Sequence, residues 1–214
     1  MPHTLGGMKI TLYTGVALLL VAVAASPARA EEQGSAWGIA LGVFSPQADA
    51  RGDGYALSIF REKRLQSGLR LGIEANLFGA KYATPQGVSC GSTCTVDSST
   101  TFNTVGFGGR LTYAWPIGAG EIYAGGGAAL YLSSMKAQES GSVLFIPVSG
   151  EIEENDHALG GDLRAGIAFP FTGTRTSFGL EVRRLWLSGT FGELSSGKLQ
   201  LGGTSVLLTL TQRF

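Results

Sequence analysis

The last ten residues of the chain, Ser205 to Phe214, alternate between apolar and polar side chains up to the final position. Val206, Leu208 and Leu210 share one face with Phe214, and only Gln212 interrupts that face. The end of a soluble domain usually frays into water, because few contacts hold it. A last strand with one apolar face and an aromatic end instead predicts a chain whose strands contact lipid on one side.

The amino-terminal residues have the pattern of an export signal. Lys9 precedes an apolar run from Val16 to Ala25, and Ala28-Arg29-Ala30 supplies small residues at the cleavage spacing. We predict a secretory signal peptide over residues 1–30 and a mature domain over residues 31–214. The apolar run is too short to cross a bilayer as a helix, and an uncleaved amino-terminal anchor is the alternative.

The composition narrows the class of protein further. The chain has 33 glycines and only 15% charged residues, whereas a soluble domain usually has about 25%. Loss of Lys9 and Arg29 with the signal would leave 14 basic and 16 acidic side chains, a net charge of −2. Nucleic-acid binding would require a basic patch, and none is evident.

Eight runs of alternating side chains follow the signal, and a helical period does not persist beyond two turns. They are Ala36–Phe44, Tyr55–Glu62, Gly68–Ala80, Thr101–Trp115, Glu121–Ser133, His157–Phe169, Ser177–Leu187 and Leu199–Phe214. The connections alternate between short ones (Lys63–Ser67, Pro116–Gly120, Pro170–Thr176) and long ones (Ser45–Gly54, Lys81–Thr100, Ser134–Asp156, Ser188–Lys198). This organisation predicts an all-β fold, an eight-stranded antiparallel up-and-down transmembrane β-barrel with short periplasmic turns and longer external loops.

Aromatic residues at the strand ends support a lipid-facing outer surface. Trp37, Tyr113, Trp115, Phe169, Phe178 and Phe214 fall near the short-turn end, and Tyr55 and Trp186 near the other. Such residues form two girdles at the membrane interfaces. The polar face of the strands is rich in glycine, alanine and serine, as a narrow interior requires. The alternative is a soluble lipocalin-like barrel with the apolar face inside.

Charged residues share the face predicted to line the lumen. Four are basic (Arg70, Arg110, Arg164, Arg183) and four are acidic (Glu74, Glu121, Asp162, Glu181). Buried charges are tolerated when they are paired and hydrogen-bonded, and side chains fill an eight-stranded barrel. We therefore predict a polar plug, with a gated ion path as the alternative.

These features together resemble the small outer-membrane barrel family typified by the transmembrane domain of OmpA and by OmpX. The resemblance implies a monomer in the cell outer membrane that contacts lipid and lipopolysaccharide, and whose terminal Phe214 is an assembly signal read by the barrel assembly machinery. It implies a structural or surface-interaction role through external loops that contact surface ligands. No cofactor, metal or nucleic acid is expected.

Arg184 departs from this pattern, because it falls on the lipid-facing side of the seventh run. It lies close enough to the strand end for its side chain to snorkel to the interface or to meet a lipopolysaccharide phosphate. A β-bulge at this position would explain it equally well.

Two features of the external loops carry further predictions. Cys90 and Cys94 lie in the second long connection, and because exported proteins form disulfides, we predict that they pair. The third long connection contains the acidic residues Glu151, Glu153, Glu154 and Asp156. We predict a solvated loop, and a surface site that collects divalent cations is the alternative.

An enzyme is the less favoured reading. Some eight-stranded barrels modify lipid A, and lipid A deacylases of this shape carry His-x-Ser on one strand. Here His157 is followed by Ala158-Leu159, so the nucleophile is missing. Ser133 or Ser188 would substitute only if the strand register brought either to His157. We therefore predict a protein without enzymatic activity.

A closed barrel predicts a shift in electrophoretic mobility. Outer-membrane fractions run in mild detergent should show the protein at different positions before and after boiling, because closed barrels resist the detergent until heated. A soluble periplasmic protein without a shift would invert the face assignment and favour the lipocalin-like alternative.

Overall fold

The computed structural model describes residues 34–47, 54–65, 68–84, 94–143, 146–191 and 198–214. The predicted signal peptide and Cys90 lie outside the described residues. The strands are β1 (Ser35–Pro46), β2 (Gly54–Arg64), β3 (Leu69–Thr84), β4 (Cys94–Ile117), β5 (Gly120–Val143), β6 (Ile146–Pro170), β7 (Thr176–Trp186), β8 (Ser188–Thr190), β9 (Lys198–Gln200) and β10 (Gly203–Arg213). Within the described ranges, the structure has no helix long and apolar enough to cross a membrane.

Eight strands close into a barrel in the order β1-β10-β7-β6-β5-β4-β3-β2, and β8 and β9 form a separate two-stranded sheet. Neighbouring barrel strands are antiparallel throughout. The predicted eight-stranded up-and-down barrel is therefore confirmed. The eighth predicted run divides, because Leu199 belongs to β9 and the closing strand begins at Gly203.

The register fixes the tilt of the strands. Directly paired residues trace a path around the barrel from Ile167 through Leu180, Leu208, Leu41, Leu57, Leu77, Val105 and Leu132 to His157. The path returns to β6 displaced by 167 − 157 = 10 residues. With about 3.3 Å per residue and about 4.8 Å between strands, this displacement corresponds to a strand tilt of about 40°.

The outer surface of the barrel is apolar. The residues on the path just described are aliphatic from Ile167 to Leu132, and Leu41 and Leu208 are 60% and 69% exposed. Trp37 and Trp115 are exposed at the short-turn end, as Tyr55 and Trp186 are at the opposite end. Exposed apolar side chains in this band fit a lipid-facing wall, and they contradict the soluble alternative with its apolar face inside.

Two predicted loops are instead largely strand. β4 begins at Cys94, inside the predicted loop Lys81–Thr100, and β5 and β6 pair up to Val143 and Ile146, inside the predicted loop Ser134–Asp156. Above a membrane both faces of a strand meet water, so the apolar alternation disappears while the backbone pairing continues. The acidic stretch around Glu153 accordingly lies on β6 and not in a solvated loop.

Tyr131 shows how closely the wall and the interior fit. Its side chain is 2% exposed, and it lies inside the barrel over Gly106 on β4 and Gly160 on β6. A Cβ added to Gly160 would lie 2.8 Å from the Tyr131 ring, and one on Gly106 would overlap the ring. Glycine is required at both positions because the ring occupies the space of a side chain.

Replacing Gly106 by alanine should lower the free energy of unfolding by about 1–3 kcal/mol, because the added methyl group displaces the Tyr131 ring. Urea titration of the barrel in lipid vesicles measures this change. The matched control is Gly150→Ala, since a Cβ there meets no atom within 4 Å, and its effect should stay within about 0.5 kcal/mol. Equal stabilities of the two variants would contradict the packing.

Candidate functional site

All eight charged residues predicted to line the lumen have buried side chains inside the barrel. Arg70, Glu74, Arg110, Glu121, Asp162, Arg164, Glu181 and Arg183 are each at most 8% exposed. They come from β3, β4, β5, β6 and β7, so the closed sheet brings together residues that lie far apart in the sequence. The register, which the sequence could not supply, determines their partners.

Glu74 is the centre of the upper charged group. Its Oε1 lies 2.6 Å from Nη1 of Arg183 and accepts a hydrogen bond from Ser58 Oγ at 2.8 Å. Its Oε2 accepts hydrogen bonds from Nη1 of Arg164 and, at 3.4 Å, from Nη1 of Arg110. One carboxylate thus contacts three guanidinium groups.

Two further carboxylates balance those three arginines. Arg183 Nη2 donates to Glu181 Oε1 at 2.8 Å, and Tyr123 Oη donates to Glu181 Oε2 at 3.1 Å. Asp162 accepts two hydrogen bonds from Arg164, from Nε and Nη2, each at 2.8 Å. Paired contacts of this kind satisfy both the charge and the geometry of a guanidinium group. The upper group is therefore charge-balanced, with three arginines and three carboxylates.

A lower charged group lies near the short-turn end. Glu121 lies 2.5 Å from Nη2 of Arg70 and accepts a hydrogen bond from Arg213 Nη2 at 3.0 Å. Glu62 contacts Arg70 Nη1 at 3.3 Å and Arg110 Nε at 3.6 Å. Arg110 therefore links the lower group to the upper one.

Sequence reasoning missed Glu62 and Arg213. Glu62 ended a predicted run and shares its face with Ser58, and Arg213 shares the face of Thr209 on β10. The alternation therefore contained the signal for both residues. The interior of the barrel strands also holds a fifth carboxylate for its four arginines, and Arg213 compensates this excess at the mouth.

The other end of the lumen is apolar, which the sequence analysis did not predict. Phe44, Phe78, Phe102 and Tyr131 are at most 4% exposed. The Phe78 ring centroid lies 4.9 Å from that of Phe44, 6.2 Å from that of Phe102 and 5.8 Å from that of Tyr131. The predicted interior of glycine, alanine and serine is thus wrong at this level. These rings lie on the inward-facing side of the strands, towards the long-loop end.

Residues from both described ends of the last external connection pack against this apolar layer. Leu187, Phe191 and Leu201 are 2%, 1% and 3% exposed and pack in the same cluster as the aromatic rings. Leu201 N donates to Leu187 O at 2.9 Å, and Thr190 N donates to Asp156 Oδ2 at 2.6 Å. Within the connection predicted as the loop Ser188–Lys198, the described residues thus include the short strand β8 and the buried Phe191.

The charged and apolar layers together fill the lumen. Among the cavities in the described part of the barrel, two of about 20 Å³ each have space for one or two water molecules. One lies between the layers beside Tyr131 and Arg183, and the other lies beside Glu62 and Arg70. Within the described residues, neither is a ligand-sized site.

The residues weighed for catalysis do not meet. His157 is exposed and pairs with Leu132, whereas Ser133 is 5% exposed and accepts a hydrogen bond from Thr104 at 3.0 Å inside the barrel. His157 and Ser133 thus lie on opposite faces of the wall. Ser188 begins β8. In the described part of the chain, no group of three or more candidate metal-ligating side chains occurs.

Arg184 occupies a regular strand position. It pairs with Thr204 on β10 and Leu163 on β6 in uninterrupted registers, so a β-bulge does not explain it. Its Nη1 donates to Thr204 Oγ1 at 2.9 Å. Cys94 begins β4, and its predicted disulfide with Cys90 stays a prediction, as does the role of Phe214 in assembly.

A sheet projects from the barrel on the long-loop side. β5 and β6 continue about eleven residues beyond the pair Leu132–His157, as far as Val143 and Ile146. At the strand tilt given above, this projection is on the order of 25 Å long. β4 pairs with β5 on the side opposite β6, as far as Cys94, so the projection includes three strands.

Replacing Glu74 by glutamine should lower the free energy of unfolding by about 3–5 kcal/mol, because three buried arginines would lose a shared counter-charge. Urea titration in lipid vesicles measures the loss. Glu151→Gln is the control, since its half-exposed carboxylate lies 2.7 Å from Lys136 Nζ on the external sheet and should contribute less than about 1 kcal/mol. Similar losses in both variants would contradict the central role of Glu74.

Comparisons with known proteins agree with the architecture. The family model of the outer membrane protein beta-barrel domain matches residues 15–214. Neisserial surface protein A aligns with a TM-score of 0.50 and 14% identity, covering 84% of this chain and 96% of that one.

Two further solved structures are similar at lower scores. A major outer membrane protein from Thermus thermophilus aligns with a TM-score of 0.47 and 15% identity, covering 85% of this chain and 100% of that one. OprG from Pseudomonas aeruginosa aligns with a TM-score of 0.45 and 12% identity, covering 86% of this chain and 97% of that one. No curated protein matches the chain by sequence. The chain belongs to the outer membrane protein beta-barrel domain family and is a protein of the cell outer membrane.

Proposed function

We propose that this protein is a surface-interaction protein, in which the barrel is an anchor and the projecting sheet binds extended polypeptide segments outside the cell. Because side chains fill the lumen, the barrel is better suited to be an anchor than a channel. Solutes would have to displace both the charged network around Glu74 and the apolar layer around Phe78. The role therefore depends on what the barrel presents to the outside.

The observation that carries the proposal is the pairing of β6. This strand pairs with β5 along nearly its whole length but with β7 only from Gly161 onwards. Within the described residues, the first part of β6 is thus an edge of the projecting sheet as far as Asp156, whose carboxylate accepts a hydrogen bond from Thr190 of β8. Sheet edges accept further strands, because backbone groups on that side can pair with another chain.

The charge of this edge selects the partner. Residues 146–160 carry four carboxylates and neither lysine nor arginine. Edge-to-edge pairing of two copies would bring carboxylates together, and like charges on facing strands destabilise pairing. A segment that bears lysine or arginine at alternate positions would be attracted instead. Lys136 on β5 contacts Glu151, so the carboxylates of this sheet already accept a cation from a neighbouring strand.

The sheet is held in position by apolar contacts at its base. Phe102 on β4 and Met135 on β5 are 0% and 6% exposed, and they pack in the cluster that contains Phe191 and Leu201. A binding element that is already ordered loses little conformational freedom on association. This base therefore supports a sheet that presents its edge before a partner arrives.

A short labelled peptide of alternating lysine and valine tests the proposal by fluorescence anisotropy with the barrel in non-ionic detergent. We expect binding, and at least about tenfold weaker binding for a twin peptide with proline at its centre, which cannot continue a strand. Glu153→Lys should weaken binding of the lysine peptide similarly, because it reverses a charge on the edge strand. The control Lys81→Gln on β3 should leave it unchanged.

Equal binding of the peptide and its proline twin would contradict strand addition. Stable single-channel conductance of the purified barrel in a planar bilayer would contradict the anchor and favour the channel. In that case, the charged network would have to open without unfolding the barrel.

A further inference from the structure

A row of three polar side chains interrupts the apolar outer surface of the barrel near its long-loop end. Arg184 on β7 lies directly opposite Thr204 on β10, which lies directly opposite Ser45 on β1. Each lies two residues from a valine that is exposed on the outer surface, namely Val182, Val206 and Val43. Because side chains two residues apart leave the same face of a strand, all three polar side chains point outward.

The row is inclined to the membrane. The path of paired residues around the barrel moves ten residues away from the short turns in eight steps, which is about 3 Å per step at the strand tilt given above. Arg184 is therefore the deepest member of the row, and Ser45 lies about 6 Å nearer the outside. Trp186 lies about 5 Å beyond Arg184 on the same face of β7. The row thus begins below the outer aromatic girdle and ends at its level.

Apolar side chains surround Arg184 on its other sides. Leu163, opposite it on β6, is 60% exposed, and Val182 and Trp186 on its own strand are 46% and 47% exposed. A guanidinium group in such a position extends along the wall towards the interface. The Nη1 atom of Arg184 donates to Thr204 Oγ1 at 2.9 Å, so the side chain follows the polar row outward.

The row supplies hydrogen-bond donors without a negative charge. Within the described residues, the bond to Thr204 is the one polar contact of the Arg184 side chain. The carboxylates of the barrel strands at and below this level are buried on the lumen side (Glu62, Glu74, Glu121, Asp162, Glu181). Arg184 retains four further N–H groups, and the Thr204 hydroxyl, which accepts from Arg184, can still donate its own hydrogen. Such a set of donors suits phosphate oxygens, which a guanidinium group can bind through two N–H groups at once.

The position of the row along the barrel identifies the leaflet. Short turns of outer-membrane barrels face the periplasm, so the border near Trp186 meets the outer leaflet. The lipid A part of lipopolysaccharide carries phosphate groups on the same sugars that carry its acyl chains. Its phosphates therefore lie where the acyl chains end, which is the depth at which the row emerges from the apolar wall.

We propose that Arg184, Thr204 and Ser45 form a binding site for a phosphate group of lipid A in the outer leaflet. Arg184 supplies the charge, Thr204 holds its guanidinium group in place, and Ser45 adds a hydroxyl donor at the level of the girdle. The site is separate from the projecting sheet and does not depend on the peptide-binding role proposed above.

Native mass spectrometry of the full barrel in detergent micelles tests the site with two lipids. Lipid A with both phosphates is compared with the same lipid after removal of its phosphates. The wild-type protein should retain the phosphorylated form at least about tenfold better. Arg184→Gln should abolish this preference, and Arg184→Lys should keep part of it, because lysine retains the charge but not the two-pronged geometry.

Two further variants separate the site from a general effect of charge. Arg61→Gln removes an exposed, outward-facing arginine of β2 near the short-turn end and should leave the preference unchanged. Thr204→Val keeps the branched shape but removes the hydroxyl, and it should weaken the preference less than Arg184→Gln does. The shift in electrophoretic mobility on boiling identifies the variants that fold into closed barrels.

Four results would overturn the proposal. One is equal retention of the two lipids by the wild-type protein, which needs no variant. The second is an unchanged preference in a folded Arg184→Gln barrel, and the third is an equal loss in Arg61→Gln. The fourth is displacement of lipid A by excess inorganic phosphate, which would indicate an anion site without specificity for the lipid.

Discussion

A sheet of eight strands closed with an offset of ten residues encloses a space that side chains must fill. This constraint determines which side chains fit inside the barrel. Four arginines enter the barrel strands' interior only because carboxylates on other strands meet them, and Glu74 contacts three of them. Tyr131 enters only because Gly106 and Gly160 leave space for its ring. The closure therefore selects charged pairs at one level and ring–glycine contacts at another.

The change from charges to rings follows the change of solvent outside. Burying apolar groups is favourable when the alternative is water, whereas lipid tails are as apolar as leucine and give no such gain. Around Glu74 and Glu181 the outside is lipid, and the interior is polar. Around Phe102, Phe191 and Leu201, near and beyond the outer girdle, the outside is water and the interior is an ordinary apolar core. The same strands therefore have a polar interior where lipid lies outside and an apolar interior where water lies outside.

The sequence predicts which face of a strand each side chain occupies, but it does not predict which side chains of other strands that residue contacts. Alternation with a period of two placed Arg70 and Arg183 inside and Leu208 outside, because successive side chains of a strand point to opposite sides. Glu62 and Arg213 follow the same alternation, but both lay at the ends of predicted runs and were missed. The partners of Glu74 depend on register, which alternation does not contain. The extension of β5 to Val143 was missed because strands surrounded by water need no apolar face.

The ladder between β5 and β6 continues without interruption from Glu121 near the short turns to Val143 at the far end of the projection. A partner paired with the projecting part, as proposed above, would load these strands along their length if it were pulled in the strand direction. Such a load acts along the strands and stresses the ladder's hydrogen bonds together, whereas a load across the strands would break them one after another. The same strands that cross the membrane therefore carry the force directly into the anchored barrel, and the geometry suits an attachment that must resist tension.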